Sequence, residues 1–163
     1  VTPVSFELNG PLRRFKVDEE TGEVIKPISM REAHPFPVTV TVLNEAIKKL
    51  RDAEGDAVVI LWRGLKNMDL KRDSNFMRAG GVEMSSMSTT YSLKTALFYS
   101  HSNQSIIFRI VTRSFMERGA DLEWISVFPR ERECLFPPCT FLSPTGRTQK
   151  IGKFTVVEIT PRL

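Results

Sequence analysis

Two carboxylates one residue apart, Glu131 and Glu133, directly precede the apolar run Cys134-Leu135-Phe136-Pro137-Pro138. If this stretch is extended, the period of two sends both acids to one face about 7 Å apart and Arg132 to the other. Two acids then share one site. Taken alone, paired acids on a strand are more commonly a solvated face or a guard against edge pairing.

Other segments add to the pair. Arg63 closes the apolar run Ala57 to Trp62, and a planar guanidinium can grip a diphosphate through two parallel hydrogen bonds. Gly64 beside it lets a flat ligand approach the backbone, although a plain turn explains it equally well. Ser88-Thr89-Thr90 supplies hydroxyls that can orient a carboxylate on a neighbouring strand, with Thr90 itself expected to cap a helix. Tyr91, Phe98 and Tyr99 are candidates to stack on a planar heterocycle, core packing being the commoner use of such residues.

Other chemistries lack support. No Gly-x-Gly-x-x-Gly follows a strand and no phosphate-loop Gly-Lys-Ser/Thr occurs. His34 and His101 are too few and too far apart for a metal cluster or a His-centred triad. Cys134 and Cys139 have no partners at metal-ligand spacing and are expected as reduced, buried packing residues. Net charge is +4, from 23 basic and 19 acidic residues, and the basic residues are scattered, so nucleic acid is not an expected partner. With 41% hydrophobic and 26% charged residues, neither disorder nor a membrane span is indicated. A chain of 163 residues fits one domain with its own core. Its start at Val1 reads as a fragment of a longer polypeptide, expected to be monomeric, and reduced cysteines lean towards an intracellular setting.

Several elements must position these groups. In residues 1–39, five prolines punctuate short apolar pieces, and Phe15 to Val17 with Val24 and Ile25 predicts a hairpin. Leu43, Ala46, Ile47 and Leu50 predict a helix over 40–54, stopped at Gly55. Ala57 to Trp62 predicts a buried strand, Asp69 to Phe76 has helical character, and Gly80-Gly81 opens an alternating segment. Ser92 to Ser100 predicts a second helix with Thr90 or Ser92 as N-cap. Further strands are predicted at 106–111, near Ile125, at 132–136 and at 154–159, with a possible one at 140–142. Helix first and strands after is the order of an α+β domain.

In their order and spacing, Leu61-Trp62-Arg63-Gly64, Ser88-Thr89-Thr90 and Glu131-Arg132-Glu133 resemble the arginine-specific mono-ADP-ribosyltransferase family, known by its Arg, Ser-Thr-Ser and Glu-x-Glu motifs. Ser126 to Arg130 matches the Ser- and Pro-containing loop before the glutamates, whereas Thr90 stands where the family usually has Ser. The resemblance covers residues 40–163 and leaves 1–39 as a peripheral layer. It implies an α+β ADP-ribosyltransferase-like fold, two roughly perpendicular small sheets forming an NAD cleft flanked by helices. It also implies NAD as co-substrate, no metal, and a protein with an exposed arginine as acceptor. Arg63 would then meet the phosphate and nicotinamide-ribose region, Gly64 the carboxamide, and Thr89, Phe98 and Tyr99 would belong to the same pocket. Ser88 would line that pocket too and position Glu133. Glu133 would hold the ribose 2′-hydroxyl and favour nicotinamide departure, while Glu131 would handle the acceptor guanidinium. An NAD glycohydrolase, or a silent NAD-binding or interaction module on the same fold, are the rival implications.

Overall fold

The structure, a computed structural model, describes residues 3–13, 15–17, 24–27, 33–51, 57–66, 74–100 and 105–163. The chain opens with α1 (Pro3–Leu12), followed by the paired strands β1 (Phe15–Val17) and β2 (Val24–Pro27). The hairpin is where the apolar pieces place it. The helix before it is not legible in the same way, because Gly10 and Pro11 lie inside its last turn.

Helix α2 (Pro37–Lys49) begins on a proline, whose missing N–H is no loss in a first turn, and ends on Lys48 and Lys49, which favour the negative end of the helix dipole. It starts before the expected residue 40 and stops at Leu50, whose amide closes on the Ala46 carbonyl. Gly55 lies outside the described residues, as does His101.

The body of the protein is a sheet with strand order β4 (Gly81–Glu83), β9 (Thr140–Ile151), β10 (Phe154–Arg162), β6 (Ser105–Thr112), β3 (Val59–Lys66), β5 (Met87–Thr90), β8 (Glu133–Phe136) and β7 (Ala120–Asp121). Its centre is β3 (Val59–Lys66), antiparallel to β6 (Ser105–Thr112), which in turn runs parallel to β10 (Phe154–Arg162). These strands read as apolar runs because they are buried: Leu61, Ile106, Phe108, Ile110, Val157 and Ile159 form the core with Met87 and Phe136. β9 (Thr140–Ile151) is much longer than the expected 140–142, and carries β4 (Gly81–Glu83) along its outer edge. Helix α3 (Ser74–Ala79) covers this side, with Phe76 stacked on Phe108 at 5.5 Å between ring centres.

The sheet nearly divides in two. β5 (Met87–Thr90) meets β3 at the single pair Trp62↔Thr90, then pairs along its whole length with β8 (Glu133–Phe136), which carries the short β7 (Ala120–Asp121). Strand pairing is therefore continuous through eight strands, with one thin seam.

Three expectations are corrected. The segment around Ile125 is not a strand: the Leu122 carbonyl accepts from the Ile125 and Ser126 amides, and the Asp121 and Ser126 side chains accept from the Glu123 and Phe128 amides. Local side-chain acceptors of this kind compete with the ladder and win where no neighbouring strand is available. Cys134 is buried as expected but Cys139 is exposed, at a turn residue with φ 65°, and both are free thiols. The third correction concerns the glutamate pair.

Candidate active site

Glu131 and Glu133 do not lie on one strand. Pro129–Glu131 is a short 3-10 turn, Arg132 follows in the left-handed region at φ 47° and ψ 57°, and β8 begins only at Glu133. A left-handed residue breaks the alternation that would have set both acids on one face. This conformation is held from outside: the Arg132 carbonyl accepts from the Tyr91 amide at 3.2 Å, its guanidinium lies 5.2 Å over the Tyr91 ring, and its Nε pairs with Glu123 at 3.4 Å.

The turn aims Glu131 back at α4 (Leu93–Tyr99). Tyr99 Oη donates to Glu131 Oε1 at 2.6 Å, and Thr90 Oγ1 donates to the Glu131 carbonyl at 2.5 Å. The same Thr90 oxygen accepts from the Ser92 amide at 3.0 Å. Thr90 thus ties the glutamate turn to the start of α4. The N-cap proper is Ser92, whose side chain accepts from the Thr95 amide. The hydrogen bond to Glu131, then burial, then the negative charges of Glu131 and Glu133 hold the Tyr99 phenol above its usual range. Both carboxylates are therefore electrostatic neighbours of one hydroxyl.

Register sets the rest of the site. Trp62, Thr90 and Glu133 stand side by side on β3, β5 and β8. Arg63, next along β3, is thus two strands from Glu133, a backbone separation of about 10 Å at normal strand spacing. Its guanidinium reaches across the thin seam: Nη1 donates to the Ser88 carbonyl at 3.3 Å, satisfying a backbone acceptor that strand pairing leaves open there. Nη2 donates to Glu83 Oε2 at 3.1 Å. Burial lowers the Arg63 pKa and the Glu83 charge opposes that, so the cation is kept in place with its side chain 17% exposed.

The remaining expected site residues occupy different surroundings. Ser88 is exposed on β5, opposite Leu135. Thr89 is buried and its hydroxyl donates to the Cys134 carbonyl at 2.7 Å, a bond that stitches β5 to β8. Burial likewise pushes the neighbouring Cys134 thiol up to about 12, which keeps it a packing group. Gly64 is a close-approach glycine rather than a turn: a Cβ there would lie 2.2 Å from the Ala96 carbonyl oxygen of α4. Phe98 is 76% exposed and meets Tyr99 edge to face at 5.5 Å. A cavity of about 460 Å³ between α2 and the Pro137–Thr140 turn contains none of these residues.

Two participants escape sequence reasoning. Glu83, on the edge strand β4, binds Arg63, and Arg13, just after α1, binds Glu83 from 70 residues earlier in the chain. The one local hint is an acid in the short alternating segment that Gly81 opens.

Comparison with known proteins identifies the family and the fold. Residues 29–158 match the sequence model of the NAD:arginine ADP-ribosyltransferase family. Among solved structures, the chain resembles the ADP-ribosyltransferase HopU1 of Pseudomonas syringae pv. tomato DC3000, at 22% identity and TM-score 0.69 over 99% of this chain and 66% of that one. It also resembles the Vis toxin from Vibrio splendidus, at 15% identity and TM-score 0.61 over 99% and 68% of the two chains. Exoenzyme S from Pseudomonas aeruginosa, solved with human 14-3-3 protein beta and carba-NAD, matches at 16% identity and TM-score 0.58 over 82% and 60%. The chain spans about two thirds of the length of these structures, and no curated protein sequence matches it. The fold is that of the ADP-ribosyltransferases. The chain belongs to the NAD:arginine ADP-ribosyltransferase family.

Proposed function

We propose that the protein transfers ADP-ribose from NAD to arginine side chains of a protein acceptor and releases nicotinamide. The observation that carries this reading is the second carboxylate: Glu131 is fixed through both its backbone and its side chain, and its partner Tyr99 also feels the charge of Glu133. Cleaving NAD asks for one carboxylate at the ribose. A restrained second one is useful for an acceptor that is itself a cation.

The donor set suits NAD. Arg63 offers a buried planar cation to the phosphates, and among the described residues it donates to the Ser88 carbonyl and to Glu83. NAD supplies an activated glycosidic bond, whose electron pair leaves with nicotinamide. Glu133 places negative charge where positive charge develops at the anomeric carbon. Glu131 accepts hydrogen bonds from the protonated guanidinium, orients one nitrogen towards that carbon, and takes its proton as the new bond forms. Ser88 and the exposed ring of Phe98 border this region in our reading, and the Gly64 backbone meets the carboxamide.

A macromolecular acceptor is supported by the loop that leads into Glu131. Trp124, Val127 and Phe128 are 72%, 86% and 61% exposed, an apolar surface beside the acceptor carboxylate that a small substrate does not need. Vis has also been solved in complex with agmatine, a small guanidine. Incubating the protein with NAD and agmatine and following free nicotinamide and ADP-ribosyl-agmatine by mass spectrometry tests the reading. It predicts both products. Nicotinamide without adduct would exclude arginine as the acceptor group.

A further inference from the structure

Glu83 sits between two arginines fifty residues apart in the chain, Arg13 and Arg63. Its Oε1 accepts from Arg13 Nε at 3.0 Å, from the Ser85 hydroxyl at 2.9 Å and from the Ser85 amide at 3.2 Å. Its Oε2 accepts from Arg13 Nη2 at 3.2 Å and Arg63 Nη2 at 3.1 Å. The Arg13 contact is a parallel fork, the strong geometry for an arginine and a carboxylate. The Glu83 and Arg63 side chains are 16% and 17% exposed, so neither is free to swing into solvent, whereas Arg13 is 31% exposed at the rim.

The arrangement has a mechanical consequence. A carboxylate holding only Arg63 would compete with an anionic ligand for that guanidinium. Shared with Arg13 and fixed by Ser85, the same carboxylate acts as a post: it sets the orientation of Arg63 while part of its charge is already neutralised. Arg13 directly follows α1, so the post also anchors the N-terminal layer to the site.

We propose that Glu83 is a positioning residue for NAD binding, and that through it Arg13 couples docking of the N-terminal helix α1 to the affinity for NAD. This rests on the reading that Arg63 meets the phosphates of NAD. Neither Glu83 nor Arg13 is asked to touch NAD. The N-terminal layer is then part of the binding apparatus, and by linkage NAD must tighten that layer as much as the layer tightens NAD.

The test compares wild type, Arg13→Gln, Arg13→Lys, Glu83→Gln and the Arg13→Gln/Glu83→Gln double variant. The readouts are the NAD dissociation constant by calorimetry, KM and kcat for NAD, and amide hydrogen exchange over residues 3–13 with and without NAD. Arg13→Gln should raise Kd and KM about fivefold or more, the usual size of a coupling between sites, and leave kcat within about twofold. Arg13→Lys should recover only part of the loss, because an ammonium lacks the fork. Glu83→Gln should weaken NAD more, and adding Arg13→Gln to it should have little further effect. NAD should slow exchange over 3–13 in wild type and fail to do so in Arg13→Gln. Because Arg13 lies at the rim and its loss leaves Glu83 paired with Arg63, that variant keeps the test valid if Glu83→Gln does not fold. Unchanged NAD affinity in Arg13→Gln, or additive losses in the double variant, overturns the coupling alone. A wild type that folds and does not bind NAD overturns both the coupling and the proposed activity.

Discussion

The phenol of Tyr99, on α4, donates a 2.6 Å hydrogen bond to the carboxylate of Glu131, thirty-two residues further along the chain. That bond joins the helix after the hydroxyl-rich strand to the glutamate turn, so side chains add to the pairing of β5 with β8 in setting the parts of the site against each other. It gives Tyr99 a task that its aromatic character alone does not reveal. Tyr99→Phe should reduce transfer to agmatine about 10- to 100-fold, the value of a hydrogen bond to a charged group. Nicotinamide release into water should fall much less. The ratio of adduct to nicotinamide, measured in one reaction, checks this.

The same bond has a spectroscopic signature. The chain has two tyrosines, Tyr91 and Tyr99, and Tyr99 is held above the ordinary tyrosine range chiefly by Glu131. Ultraviolet titration of the phenolate should therefore show one tyrosine ionising later in wild type than in Glu131→Gln. Identical titration curves would mean that the bond does not persist in solution.

Thr90 restrains the Glu131 backbone, so Thr90→Val, close in shape but without the hydroxyl, should leave that carbonyl without its donor. A loss of about 1–3 kcal/mol is expected for an acceptor left unsatisfied on partial burial. Thermal unfolding gives the stability change. The adduct-to-nicotinamide ratio should fall with it, because the turn that presents Glu131 is loosened while Glu133 stays in β8.

Gly64→Ala puts a methyl group 2.2 Å from the Ala96 carbonyl and 2.8 Å from the Ser100 amide, backbone atoms that cannot move aside cheaply. Overpacking of this kind costs about 1–3 kcal/mol or more. Since α4 must shift, Tyr99 and Glu131 move apart as well. A lowered melting temperature together with a disproportionate loss of transfer is expected; a fully stable, fully active variant would show that the helix has room.

Glu83 should mark the acid limb of the stability curve. Burial raises its pKa, but the Arg13 hydrogen bonds, the charges of Arg63 and Arg13, and the Ser85 bond outweigh it, so the folded-state value lies below the ordinary 4.5 of a glutamate. As pH falls below about 4.5 the unfolded chain takes up this proton first, while the native carboxylate resists it. The stability due to Glu83 is therefore complete above that pH and drains away as pH falls towards the folded value. Chemical denaturation at a series of pH values should show a steeper acid loss in wild type than in Glu83→Gln.

Much of the frame was legible because local pattern and final environment agree. The buried run at Leu61 is a central strand, Ser92, one of the two expected caps, caps α4, and the Phe15 strand pairs with the Val24 strand. The misses occur where long-range geometry overrides local preference. Arg132 adopts a left-handed conformation because Tyr91, just past the end of β5, holds it, and no local propensity of an arginine announces that. The bond from Tyr99 to Glu131 and the link from Arg13 through Glu83 to Arg63 join residues far apart in the chain, so only the fold brings them together. The identities of the acid pair and the arginine could be read, but not how each is held.

The account turns on the separation of the two glutamates, so the decisive measurement is the yield of nicotinamide and ADP-ribosyl-agmatine from Glu131→Gln and Glu133→Gln in parallel. Glu133→Gln should lose both products, since the charge at the anomeric carbon serves every outcome of NAD cleavage. Glu131→Gln should lose the adduct and still release nicotinamide into water. Equal loss of both products in the two variants would contradict the division of roles and, with it, the reason for a second restrained carboxylate.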